Sequence, residues 1–102
     1  MKSRTVIVTG TARADLLDIY EWLSETAGWE TAARYIARIE RFCMSFDLAG
    51  ERGFRRDDVR QRLRVVGFEK SLSVAFEVTD DEVRILRIFR AGRDWESAFF
   101  ED

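Results

Sequence analysis

Leu72-Ser73-Val74-Ala75-Phe76-Glu77-Val78 and Val83-Arg84-Ile85-Leu86-Arg87-Ile88-Phe89 are the two runs whose reading decides the fold. In the first, apolar residues recur at every second position, the period of a strand whose side chains point alternately to two faces. Thr79-Asp80-Asp81-Glu82 between them is turn chemistry, so the two runs form a hairpin. The second run is apolar on both faces, which places it inside a sheet with cover on each side. Alternation assigns Arg84, Leu86, Ile88 and Arg90 to one face and Ile85, Arg87 and Phe89 to the other. Towards the N-terminus, Leu63, Val65 and Gly67 alternate with Arg64, Val66 and Phe68 in a further strand, and Glu69-Lys70 makes the tight connection. Residues 49–58 carry two glycines and no period, and read as a loop.

The first half of the chain changes period. Thr5-Val6-Ile7-Val8-Thr9 is β-branched and short, a strand that Gly10 ends. From Ala12, with Thr11 as the N-cap, Leu16, Ile19, Tyr20 and Leu23 recur at three and four residues, the stripe of a helix that Gly28 closes. A second helix over residues 30–48 carries Ala32, Ile36, Ile39, Cys43 and Phe46 on one side. The short connection makes the two an antiparallel hairpin. The order β-α-α-β-β-β therefore predicts an α+β fold, a small twisted, mainly antiparallel sheet with two helices on one face. Its other face is left for the aromatic C-terminal segment (Trp95, Phe99, Phe100) or for another chain.

Composition narrows the chemistry. A chain of 102 residues suits one domain over residues 1–102, and its 13 aromatic side chains argue against disorder. No apolar run reaches the about 20 residues of a membrane span, and the short Val6-Ile7-Val8 run is no leader, so a soluble cytoplasmic protein is expected. There is no histidine and a single cysteine, Cys43, which argues against zinc or haem ligation and against a Ser-His-Asp or Cys-His centre. Cys43 falls on the apolar stripe and reads as a packed, inert thiol. The phosphate-cradling glycine motifs are missing, and Asp57-Asp58 and Asp80-Asp81 are sequential pairs whose side chains diverge. No cofactor or metal is implied.

The cations remain. Only Lys2 and Lys70 are lysines, and the arginines crowd into residues 52–64 and 84–93. A guanidinium is a planar five-donor fork matched to carboxylates and phosphates, but it stays protonated and cannot serve as a base. Lys70, Glu77 and Asp94 are the remaining proton-transfer candidates, a thin inventory for a nuclease. An arginine on an interior strand needs a carboxylate, from this chain or a partner. Arg90-Ala91-Gly92-Arg93-Asp94-Trp95 adds two guanidinium groups and an indole, the residue types that dominate interface hot spots. Two readings stay open. In one, these arginines pair internally with Asp57, Asp58 and other acids while Trp95 caps the core; in the other, Arg56, Arg64, Arg84, Leu86, Ile88, Arg90, Arg93 and Trp95 face a binding partner.

Four segments carry a resemblance. Residues Ala14-Asp15-Leu16-Leu17-Asp18-Ile19-Tyr20-Glu21-Trp22-Leu23 and Ala32-Ala33-Arg34-Tyr35-Ile36 are similar to the two helices of the RelE/ParE toxins of type II toxin–antitoxin systems. Gly53-Phe54-Arg55-Arg56-Asp57-Asp58-Val59 resembles their glycine–arginine–acid loop, and residues 83–94 resemble their last strand and its turn. The match spans nearly the whole chain in order. It implies a toxin held inactive by a small cognate antitoxin, ParD-like or another DNA-binding type, that folds over it, without sequence-specific DNA binding by this chain itself. Family members either poison DNA gyrase (ParE-like) or cleave messenger RNA on the ribosome (RelE-like). Lacking the C-terminal tyrosine and the lysines of many RelE-type nucleases, this sequence favours the ParE-like branch. A RelE-like endoribonuclease using Arg56, Arg64, Arg84 and Arg90, or a non-toxic degenerate binding module, are the alternatives. The sequence also departs from the family in lacking its loop proline near Leu48-Ala49-Gly50 and in carrying Arg90 where a histidine is common.

Overall fold

The computed structural model describes residues 3–90. Strand β1 (Thr5–Val8) leads into helix α1 (Gly10–Ala27), and α2 (Trp29–Met44) follows directly and ends in a short 3-10 turn, Ser45–Asp47. Strands β2 (Phe54–Arg55), β3 (Leu63–Phe68), β4 (Leu72–Val78) and β5 (Glu82–Arg90) complete the order. They form one sheet in the order β1-β5-β4-β3-β2, with β1 parallel to β5 and the other pairs antiparallel. The expected α+β architecture is what the chain adopts, with β5 interior as its two apolar faces require.

Three details differ from the sequence reading. Helix α2 ends at Met44 and not at residue 48, the chain tightening there into the 3-10 turn. Helix α1 begins earlier, because the cap is Thr9 and not Thr11: its hydroxyl accepts from the Ala12 N–H at 3.2 Å. Within the loop over residues 49–58, Phe54 and Arg55 pair with Val65 and Arg64 as a two-residue edge strand, too short to show a period. Gly53 permits it. Its φ is +74°, and a Cβ there would lie 2.3 Å from the Val65 carbonyl oxygen.

The main core lies between the helices and the sheet, where Ile19, Ile39, Cys43 and Phe46 meet Val74, Phe76, Val83, Ile85 and Ile88. Phe46 sits against the Phe76 ring at 4.8 Å, edge to face. Each such side chain, fully buried, contributes about 1.5–3 kcal/mol. Cys43 is part of this core, and burial, with a smaller push from Glu40, raises its thiol to about 11. On the opposite face a smaller cluster of Leu63, Ala75 and Phe89 is joined by Val59, Val65 and Leu86. The expected cover by Trp95, Phe99 and Phe100 falls outside the described residues. Among the described residues no helix is long and apolar enough to cross a membrane.

Candidate interaction site

Strand β5 decides where the candidate side chains point. On β4, Phe76 is opposite Ile85 but Ala75 is opposite Arg87, so Leu86 is an extra residue, a β-bulge. The bulge reverses the alternation along the rest of the strand. Val83, Ile85, Ile88 and Arg90 share the helix side, with β4 partners Val78, Phe76, Val74 and Leu72. Arg84 and Arg87 are opposite Glu77 and Ala75 on the open side, where Leu86 and Phe89 also pack. The expected grouping of Arg84, Leu86, Ile88 and Arg90 on one face therefore does not hold. Ile88 is a core residue, 2% exposed, and presents nothing to a partner.

The bulge is held from one edge. The Thr9 hydroxyl that caps α1 also donates to the carbonyl of Ile85 at 2.8 Å and approaches that of Leu86 at 3.3 Å. One turn into α1, Asp15 takes over where β1 pairing has stopped. Its carboxylate accepts from the Ile88 N–H at 2.9 Å and grips the Arg87 guanidinium with two bonds at 2.8 and 3.0 Å. The carboxylate demanded by an arginine on an interior strand thus comes from this chain.

The remaining arginines divide by place. Arg56 makes a two-bond fork with Asp58 (3.0 and 2.9 Å), and Arg55 pairs with Asp57 at 3.0 Å. Asp57 is held below the ordinary carboxylate range first by the Arg62 backbone N–H and then by Arg55; Asp58 is held down by Arg56. Arg84 stands 3.7 Å from Glu77 and 3.8 Å from Glu82, and Arg60 shares Glu77 at 3.9 Å. Arg64 points to the helix side at the far end of β3, opposite Phe76 and Arg55. Arg90 lies at the other end of the sheet, its guanidinium 4.5 Å from the Trp22 ring centroid. Arg93 and Trp95 lie outside the described residues.

Around Arg90 is a groove of about 970 Å³ between the helical hairpin and the β3–β4 turn. Ile19, Leu23 and Leu72 give it an apolar wall, Trp22 and Tyr35 contribute rings, and Arg34, Arg38 and Arg90 contribute cations. Arg38 is forked onto Glu69 at 3.0 and 3.1 Å, which keeps that carboxyl below its usual range, and the Tyr35 hydroxyl is hydrogen-bonded to Ser71. An aromatic, apolar and cationic cleft suits a segment bringing hydrophobic anchors and carboxylates. Sequence reasoning missed Trp22, Arg34 and Arg38 as groove residues. The available signal was a tryptophan lying off the apolar stripe of α1, and Trp22 is 44% exposed. Among the described residues no three His, Cys, Asp or Glu side chains converge as a metal site.

The fold has known counterparts. Over residues 6–95 the chain matches the family described as the ParE toxin of the type II toxin–antitoxin system parDE. Among solved structures it is similar to the chromosomal ParDE toxin–antitoxin system of P. aeruginosa. That match has 27% identity and a TM-score of 0.76, covering 87% of this chain and 97% of that one. The toxin–antitoxin complex RelBE2 of Mycobacterium tuberculosis shares the fold at 18% identity and a TM-score of 0.62, over 86% of this chain and 98% of that one. A comparison with curated proteins finds no significant match. With 90 consecutive positions of its length matched, including the complete helical hairpin and strands β2 to β5, this chain belongs to the ParE toxin family of type II toxin–antitoxin systems.

Proposed function

We propose that this toxin acts in the cytoplasm by gripping DNA gyrase, not by cutting RNA, and that a cognate antitoxin neutralises it by occupying the same surfaces. The observation that carries this reading is the separation of Arg56, Arg64, Arg84 and Arg90, the four arginines that the ribonuclease reading needs together. Phosphate-transfer chemistry needs cations converging where charge develops. Arg64 and Arg90 are opposite β4 residues four positions apart, roughly 13 Å along the strand at ~3.3 Å per residue. Arg84 is on the other face of the sheet, and Arg56 is forked onto Asp58. The groove of Trp22, Tyr35 and Arg90 instead has the residue types of a protein-binding hot spot. The ParE family match and the resemblance to a ParDE system support an antitoxin as partner. Its C-terminal region would lay apolar anchors along the groove and bring acids to Arg34, Arg90 and, beyond the described residues, Arg93.

The test is a supercoiling assay with purified toxin and gyrase. Supercoiling is expected to stop and cleaved DNA to accumulate, with both effects reversed by the antitoxin. Unaffected supercoiling, together with messenger RNA cut in the decoding site of a translation extract, would replace this reading with the ribonuclease one. Overexpression that is harmless in the absence of antitoxin would leave only the degenerate binding module.

A further inference from the structure

At the end of the sheet remote from Arg90, a second cavity of about 520 Å³ is lined by four arginines, Arg4, Arg55, Arg62 and Arg64, and by the acids Glu51, Asp80 and Asp81. Their commitments differ. Arg4, 12% exposed, donates from Nε to the Thr79 carbonyl at 2.8 Å and stands 3.7 Å from Glu51. Arg55 is paired with Asp57. Arg64 is half-buried, and its only hydrogen bond among the described residues is a long one, 3.4 Å, from Nη1 to the carbonyl of Arg52. The Arg62 side chain has no hydrogen bond or ion pair among the described residues, although its backbone, at φ +69°, is pinned by donation to Asp57 at 2.8 Å.

Among the described residues, two guanidinium groups are therefore without a carboxylate, in a concave, polar place. Arg55 and Arg64 are also directly opposite each other on neighbouring strands, a like-charge pairing that costs stability. None of the three acids lies within ion-pair distance of Arg62 or Arg64 among the described residues. They are a negative part of the same lining. A nucleic-acid strand, a continuous polyanion, is repelled by that part, whereas a small molecule with one phosphate and a neutral hydroxyl-bearing body matches both. Arginine forks bind phosphate oxygens with two parallel N–H bonds, and an aspartate accepts from hydroxyls.

We propose that this cavity is a binding site for a small phosphate monoester of a polyol or sugar, its phosphate held by Arg62 and Arg64 and its hydroxyls by Asp81. The site is independent of the groove around Arg90 and of the proposed action on gyrase.

Calorimetric titration of the full-length protein with ribose phosphate, inorganic phosphate and ribose tests this. Ribose phosphate is expected to bind, inorganic phosphate to bind more weakly, and ribose not to bind. The variants Arg64→Gln and Arg62→Gln should each weaken ribose phosphate about tenfold or more. Asp81→Asn should weaken ribose phosphate several-fold without weakening inorganic phosphate, while Arg90→Gln changes neither. Arg62 is exposed, so its variant reports on the site even if Arg64→Gln perturbs folding. Absence of binding by both phosphates at millimolar concentration would overturn the proposal, as would binding indifferent to Arg62→Gln. Equal affinity for the two phosphates, unmoved by Asp81→Asn, would overturn it too.

Discussion

Asp15 shows how much a single side chain can organise. It is 12% exposed, and it serves three donors: two on Arg87 and the backbone N–H of Ile88. Removing one partner of such a pair leaves the other charge and an N–H without acceptors. Asp15→Ala is therefore expected to cost about 2–4 kcal/mol, the range for breaking a hydrogen-bonded, partly buried ion pair. Chemical denaturation of Asp15→Ala, Arg87→Met and the double variant checks this. Non-additivity of at least about 1 kcal/mol is expected if the two act as one unit. Additive losses would show that Arg87 and Asp15 are stabilised by separate neighbours.

At the scale of elements, the edge strand β2 depends on a particular backbone permission. Gly53 sits with positive φ against the Val65 carbonyl, so Gly53→Ala combines a strained backbone with a contact that must shift. The expected cost is about 1–3 kcal/mol, seen as a lowered unfolding temperature. The effect should be centred on β2, with faster amide exchange at Phe54 and Arg55. The loop after β2 and the β3–β4 turn also carry a pH signature. Asp57, Asp58 and Glu69 all have folded-state values below the ordinary carboxylate range, through Arg62 and Arg55, through Arg56, and through Arg38 respectively. An acid whose value is lowered by folding favours the folded state above its unfolded value, and that contribution disappears as pH falls through the folded value. Stability should thus be flat near neutrality and fall below about pH 4, where unfolded carboxylates begin to protonate. All three groups are open to solvent, so the contribution of each is small and added salt should reduce it. Urea midpoints between neutral and acid pH, at low and high salt, measure this.

For the molecule as a whole, the sheet order β1-β5-β4-β3-β2 separates the cations into different places. Arg90 and Arg64 occupy opposite ends of the helix side, and Arg84 is on the open side among Glu77 and Glu82. A partner that uses the groove should therefore depend on Trp22 and Arg90 more than on Arg84. Trp22→Ala is expected to weaken antitoxin binding by about 2 kcal/mol or more, some thirtyfold, the scale of a hot-spot aromatic. Because Trp22 is 44% exposed, the unfolding temperature of the free toxin should change little. Arg84→Ala should cost well under tenfold, since that guanidinium already has intramolecular partners. Surface plasmon resonance on the folded variants ranks them, and a larger loss at Arg84 would move the interface to the open face.

The sequence by itself determined the order of the two helices and the four longer strands, the interior position of β5, the burial of Cys43 and membership of the toxin family. Each rests on information local to a segment: period two in residues 72–78, period 3.6 in the helices, and motifs contiguous in the chain. It could also state that an interior arginine requires a carboxylate. It could not identify Asp15, 72 residues from Arg87 in the chain, as the one that answers. Nor could it locate the bulge at Leu86, because an extra residue in β5 is defined only by register against β4, and that single residue exchanged the faces of Ile88 and Arg90. The groove beside Trp22 and the cavity beside Arg64 were equally invisible to it. Each is a meeting of several elements whose distances are set when the helices dock on the sheet, and only tertiary structure supplies those.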